Sequence, residues 1–359
     1  MSKCPMVGVL CLTMVLGAAA LAQEDPGRIP AGVVGATKAL TDDEQKAVIR
    51  YIEFNVEKLR AAKDAENASA ARNRLEEPYN QGGTDFFISF YDQALAGRLA
   101  GVLGSESWLN RMNGMLVAVR VKNGRVADAI KAGIGDVSSA VVYASARAAA
   151  AFADPEKNKV AGPDAKRALV APLMDAMKRE KNPFTLEYIF QALVNIGDAG
   201  ALNAVLDRLI AQANARAGGF TGPLDGELAA ISGVYNVQAN IAVRISNNTA
   251  APGEKLDEAT LKKLLLVSVR YMEVAVAVNE TKPDTATEQT AAKVLDVCDI
   301  AAQFCAKTLA GNPQNKFKAA ASIKNKTSNE VKLTILDWKE VLGKAPFDFK
   351  APELEPAGK

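Results

Sequence analysis

Along most of this chain apolar residues recur three or four positions apart, the spacing that gathers them on one face of a helix. The pattern is clearest over residues 182–217. Asn182 suits an N-cap, and Pro183 fits the first helical position, where its missing N–H costs nothing. Leu186, Ile189, Phe190, Leu193 and Ile196 then form one stripe. Gly197 can adopt the left-handed conformation that closes a helix. Asp198 caps a second helix, striped by Leu202, Val205, Leu206, Leu209, Ile210 and Ala213 and stopped by Gly218 and Gly219. So short a link predicts an antiparallel αα-hairpin, with an apolar side left for a neighbour.

The same reading extends outward. Thr41 to Glu44 has the form of a capping box and opens a helix through Leu59. Residues 23–40 carry Pro and Gly without periodicity and predict a linker. Residues 63–77 read as a polar, Ala-rich helical extension, and Glu77 to Gly83 as a loop. Thr84 caps a helix to about Leu103, and Ser105 begins another. After a turn at 122–125 come a short helix to Ala132, an Ala-rich helix opened by Asp136, and a helix from Pro163 to about Lys181. Beyond the opening pair the pattern predicts helices over 224–245, 256–279, 287–309 and 328–342. The helical domain therefore spans residues 41–343, and the Pro-rich residues 344–359 predict a disordered tail. Residues 256–279 are apolar on nearly every side, which marks a central helix. Its Arg270 and Glu273 are spaced to pair at i,i+3.

Leu173 and Leu206 lie 33 positions apart, each in a helix preceded by another helix and a capped break. The later unit carries Ala192-Leu193, Ile196-Gly197-Asp198, Ala201 and Leu206. The earlier carries Ala168-Leu169, Pro172-Leu173 and Met177. This arrangement resembles the short units of HEAT-repeat α-solenoids, and the likeness covers about residues 137–216. The resemblance implies an all-α, right-handed α-α superhelix; an irregular helical bundle is the alternative. It also implies that the second helices line a concave face that binds partners. Arg208, Gln212 and Arg216, at i, i+4 and i+8 on the polar side of such a helix, are the candidate binding residues. An ordinary solvated face is the plainer reading.

The N-terminus changes the expected compartment. Lys3, the apolar run from Met6 to Leu16, and Ala20-Leu21-Ala22 before Gln23 read as a secretory signal cleaved after Ala22. Export to the periplasm or medium follows. Val9-Leu10 ahead of Cys11 argues against a lipoprotein anchor, and the apolar run is short for a membrane span. A net charge of +2, from 43 basic and 41 acidic residues, implies no nucleic-acid partner. Cys298 and Cys305 remain after cleavage. On one helix they stand roughly 10.5 Å apart, beyond the limit of about 7 Å for a disulfide, so they read as small core residues.

The chain has no histidine. That removes Ser-His-Asp and Cys-His catalysis and every histidine-ligated zinc or haem site. Phosphate-loop and nucleophile-elbow motifs are absent from the sequence as well. Carboxylate chemistry survives on paper at Glu76-Glu77 and at Asp296 and Asp299, which share a helix face and read first as solvated. Phe86, Phe87, Phe90 and Tyr91 form an aromatic patch, read as core or as a ligand groove. Trp108 and Trp338 read as core anchors. N-x-[ST] sequons such as Asn67-Ala68-Ser69 matter only in a glycosylating host. The resulting expectation is an exported, non-catalytic helical-repeat protein, without cofactor or metal, that binds another protein or an envelope component. A carboxylate-based enzyme acting on polysaccharide and a purely structural envelope component are the alternatives.

Overall fold

The computed structural model describes residues 24–217, 223–281, 284–310, 328–344 and 347–354. The cleavage residues Ala20 and Ala22 lie outside them. Among the described residues the chain is all-α, with no strand. In order the helices are α1 (Ala31–Val34), α2 (Asp42–Arg60), α3 (Ala65–Asn80), α4 (Asp85–Leu103), α5 (Trp108–Ala118), α6 (Val126–Ile134), α7 (Ser139–Ala153) and α8 (Pro163–Arg167). They continue with α9 (Val170–Arg179), α10 (Pro183–Ile196), α11 (Ala199–Ala217), α12 (Asp225–Ser246), α13 (Glu258–Glu280), α14 (Thr285–Leu309), α15 (Ser328–Leu342) and α16 (Ala351–Leu354).

The helices stack in two layers. One runs α3, α5, α7, α10, α12, α14, each packed on the next; the other runs α2, α4, α6, α9, α11, α13, α15. Chain neighbours such as α2 and α3, α6 and α7, or α13 and α14 cross between layers. This packing is consistent with a helical solenoid or a bundle. The hairpin of α10 and α11 spans both layers: α10 packs chiefly on α7 and α12, α11 chiefly on α13. Leu173 and Leu206 are both fully buried, on the neighbouring layer-mates α9 and α11.

Local chemistry explains the helix ends. Thr41 Oγ1 accepts from Glu44 N, and Glu44 returns a bond to Thr41 N, completing the capping box. Asn182 Oδ1 accepts from the amides of Phe184 and Thr185, and Gly197 closes α10 at φ 70°. Helix α13 is buried on most of its circumference, as its sequence requires.

Five expectations need correction. Residues 24–40 are not a free linker, because Ile29, Val33, Val34 and Leu40 are buried in the main core. The loop expected from Glu77 is helical through Asn80, with Pro78 inside α3. Proline leaves the carbonyl four residues back without its amide donor; here the Tyr51 hydroxyl donates to Arg74 O at 2.5 Å. The helix expected from Pro163 breaks at Ala168 into α8 and α9. Within the tail expected to be disordered, the described residues 347–354 pack back through Phe347 and Leu354. Arg270 and Glu273 take separate partners: Glu273 pairs with Lys339 at 2.6 Å, and Arg270 donates to Asn214 and to the Glu353 carbonyl.

Candidate functional site

A cleft of about 790 Å³ opens among the described residues. It opens between the start of α4, the turn after α5, the C-terminal half of α7 with the loop that follows, and α10. Ile88, Val119, Val121, Ala150 and Ala151 supply apolar wall. Arg120, Lys122, Arg147 and Lys157 bring four cations to it, against the carboxylates of Asp85 and Glu156. Tyr79 and Tyr188 complete the lining, with the amides of Gln191 and Asn158.

One flank is rigid. The Tyr79 hydroxyl donates to Asp92 Oδ1 at 2.5 Å, and Lys122 N donates to the other carboxylate oxygen at 2.9 Å. Burial pushes the Asp92 carboxyl above its ordinary value, and those two bonds pull against the shift. Burial likewise pushes the Tyr79 hydroxyl well up, with the adjacent Asp92 charge adding to it. Arg120 lies over the Tyr79 ring at 5.5 Å and donates to Asn80 Oδ1 at 3.0 Å. Beneath Arg147, burial raises the Glu76 carboxyl; Arg72, Arg120 and Arg147 hold it back. Opposite, Tyr188 meets Tyr143 edge-on, with ring centroids 5.5 Å apart.

Asn158 organises the remaining wall. Its Oδ1 accepts from Ala161 N at 3.0 Å, its own amide donates to Asp154 O at 2.9 Å, and its carbonyl accepts from Lys166 Nζ at 3.1 Å. The residue is only 2% exposed, yet its Nδ2 has no hydrogen-bond partner. A buried donor left so costs about 1–3 kcal/mol.

The residues singled out in the sequence fall elsewhere. Arg216 is not on an open face: its side chain and that of Glu227 are 3% and 4% exposed and bonded at 2.5 Å. Arg208, half-buried, donates to Glu180 O at 2.9 Å, and Gln212 is also half-buried. The polar side of α11 is thus turned toward neighbouring segments. Asp296 is exposed but Asp299 is buried, so the two do not share a solvated face. Cys298 and Cys305 are buried and free, and burial pushes both thiols up. Phe87 and Tyr91 are core; Phe86 is exposed and helps line a separate groove with Leu40 and Phe90. Trp338 is fully buried, whereas Trp108 is half exposed. Among the described residues no cluster of three or more His, Cys, Asp or Glu could hold a metal, and no helix is long and apolar enough to cross a membrane. Sequence reasoning missed Lys122, Arg147, Asn158 and Tyr188. One signal was available: Arg147 is the single charged residue of α7. No family model matches the chain, and no curated protein matches it.

Proposed function

We propose that this protein is an exported helical-repeat binding module, of the short HEAT-like kind, that holds a segment of another protein in the cleft between α4, α7 and α10. It works by binding rather than by catalysis. The observation that carries this reading is the composition of the cleft: apolar wall, two tyrosines and an excess of cations, built from four separate segments of one helical stack. Partner binding on an extended surface is what stacked helix pairs provide. Export rests on the signal-like N-terminus, residues 1–22.

Site-specific photocrosslinking tests it. A photoreactive residue at exposed Gln191 on α10 should yield a discrete protein adduct when the full chain is expressed in its native host. The same group at Val137, 98% exposed and away from the cleft, should yield none. Equal labelling at the two positions, or no protein adduct at Gln191, refutes the proposal. Retention of residues 1–22 in the mature chain refutes the export component.

A further inference from the structure

We infer that the segment held in this cleft is acidic: a peptide carboxylate is received by the exposed Arg147 and Lys122, in a wall that also holds the buried amide of Asn158, while its apolar side chains cover Ile88 and Val119. The inference rests on the binding role proposed above and names the chemistry that role selects.

The cations are not equivalent. Lys157 is held by Asp154 at 3.2 Å, and Arg120 is committed to Asn80 and the Tyr79 ring. The exposed side chains of Lys122 and Arg147 make no hydrogen bond or ion pair among the described residues. Glu76, which Arg147 attracts through space, makes its ion pair with Arg72 at 3.9 Å. Lys122 and Arg147 therefore reach the cleft with through-space attraction only, to Asp92 and Glu76 respectively.

Asn158 is the independent observation. Its amide orientation follows from the network, because Ala161 N needs an acceptor and only Oδ1 can serve. That bond fixes Nδ2 as the group left over, nearly inaccessible, in the wall of the cleft. A buried donor without an acceptor, in a wall shared with two exposed cations, gives the cleft a positive bias that an anionic partner matches. Charge-assisted bonds of this kind are stronger than neutral ones, and the Arg147 fork suits a carboxylate.

Size and wall chemistry select a peptide over a small ion. The cavity of about 790 Å³ is at the large end of small-ligand sites, and an inorganic anion would leave its apolar wall wet. Asp85 and Glu156 on the rim disfavour a continuous polyanion such as nucleic acid, which needs a longer run of cations.

Fluorescence anisotropy on the mature chain decides the matter. The probe is a labelled peptide of alternating glutamate and leucine. The comparators are the glutamine–leucine and lysine–leucine peptides, citrate, inorganic phosphate and a single-stranded oligonucleotide. The glutamate–leucine peptide should bind most tightly and weaken with salt. Lys122→Gln and Arg147→Gln, both at exposed positions, should each weaken it about tenfold. Asn158→Asp keeps the acceptor for Ala161 N and replaces the donor by an oxygen. It should weaken binding at least as much, with the helical circular dichroism unchanged. Equal affinity for the glutamine–leucine peptide overturns the inference, as does indifference to Lys122→Gln and Arg147→Gln. Citrate or phosphate binding as tightly as the peptide makes the ligand a small anion, and tighter oligonucleotide binding makes it nucleic acid; either result overturns the inference. A protein adduct at Gln191 with no preference for acidic peptide sinks this inference alone. Absence of both sinks the binding role as well.

Discussion

Glu227→Ala should unfold this protein more readily than any change to its exposed charges. Arg216 donates to Glu227 Oε1 from Nε at 3.1 Å and from Nη2 at 2.5 Å, and Nη2 also reaches Pro223 O at 2.6 Å. The pair ties the C-terminal turn of α11 to the first turn of α12, beside the buried Tyr271 hydroxyl. Both side chains are almost wholly out of water. Removing the carboxylate leaves a buried guanidinium uncompensated, a loss of about 3–5 kcal/mol. Arg216→Ala should fall in the same range, because it strands the Glu227 charge. The double replacement Arg216→Met with Glu227→Leu should return to within about 1 kcal/mol of the parent, since apolar groups of similar volume are tolerated where an ion pair was. Urea titration followed by circular dichroism measures the three changes, provided the slopes stay alike. Native-state hydrogen exchange localises them to the α11–α12 junction. A cost below about 1 kcal/mol for Glu227→Ala, the value of an exposed pair, refutes the reasoning. So would a double variant as unstable as the two singles combined.

Two further changes probe the frame around the cleft. Arg111 grips Asp136 through Nε at 2.7 Å and Nη2 at 3.0 Å, and those bonds hold the Asp136 carboxyl below its ordinary 3.8. A lowered carboxyl stabilises the fold above its unfolded value and loses that contribution as pH falls through the folded one. Arg111→Met should therefore lower stability at neutral pH and flatten the acid limb below about pH 4; an unchanged acid limb in a pH series of urea midpoints contradicts this. Gly133→Ala in α6 should destabilise by about 1–3 kcal/mol through overpacking, despite alanine's better helix propensity, since its Cβ would meet Ser145 Oγ at 2.1 Å and Met115 Sδ at 2.9 Å. Adding Ser145→Ala should recover part of the loss in a thermal melt, and no recovery would place the cost elsewhere.

Helix existence was legible in this chain because the evidence for it is local. Thr41 and Glu44 cap α2 within one turn, and the apolar circumference of α13 announces its burial. Pro78 misled for a physical reason: the remedy for its missing amide is the Tyr51 hydroxyl, on a different helix and 23 positions from the Arg74 carbonyl it serves. The segment 24–40 misled likewise, because four apolar residues without a period bury themselves only against helices already assembled. The cleft was illegible for the same cause on a larger scale. Its lining runs from Tyr79 to Gln191, and no window of the sequence holds more than a fragment of it. The 33-residue spacing aligns Leu173 with Leu206, on α9 and α11, which pack together; yet it directed attention to the polar side of α11 and away from α10, which supplies Tyr188 and Gln191.

The arginines show why spacing alone misassigned the binding face. Arg208 and Arg216 on α11 and Arg270 on α13 each meet an acceptor on another segment: Glu180 O, Glu227, or Asn214 with Glu353 O. A guanidinium has five donors in a fixed fork, so where helices converge it bridges backbone carbonyls and carboxylates and is absorbed into the fold. Arg147 has the same chemistry in different surroundings. It stands alone on an Ala-rich helix whose small residues pack closely against α5 and α10, and its exposed head lines the cleft, attracting Glu76 through space without an ion pair. Helical periodicity reports which side of a helix is polar; it does not report whether that side faces water or another helix. The informative charge is therefore the one that packing leaves without an ion pair in a cleft whose wall also carries an unpartnered buried donor, as Arg147 and Asn158 do here.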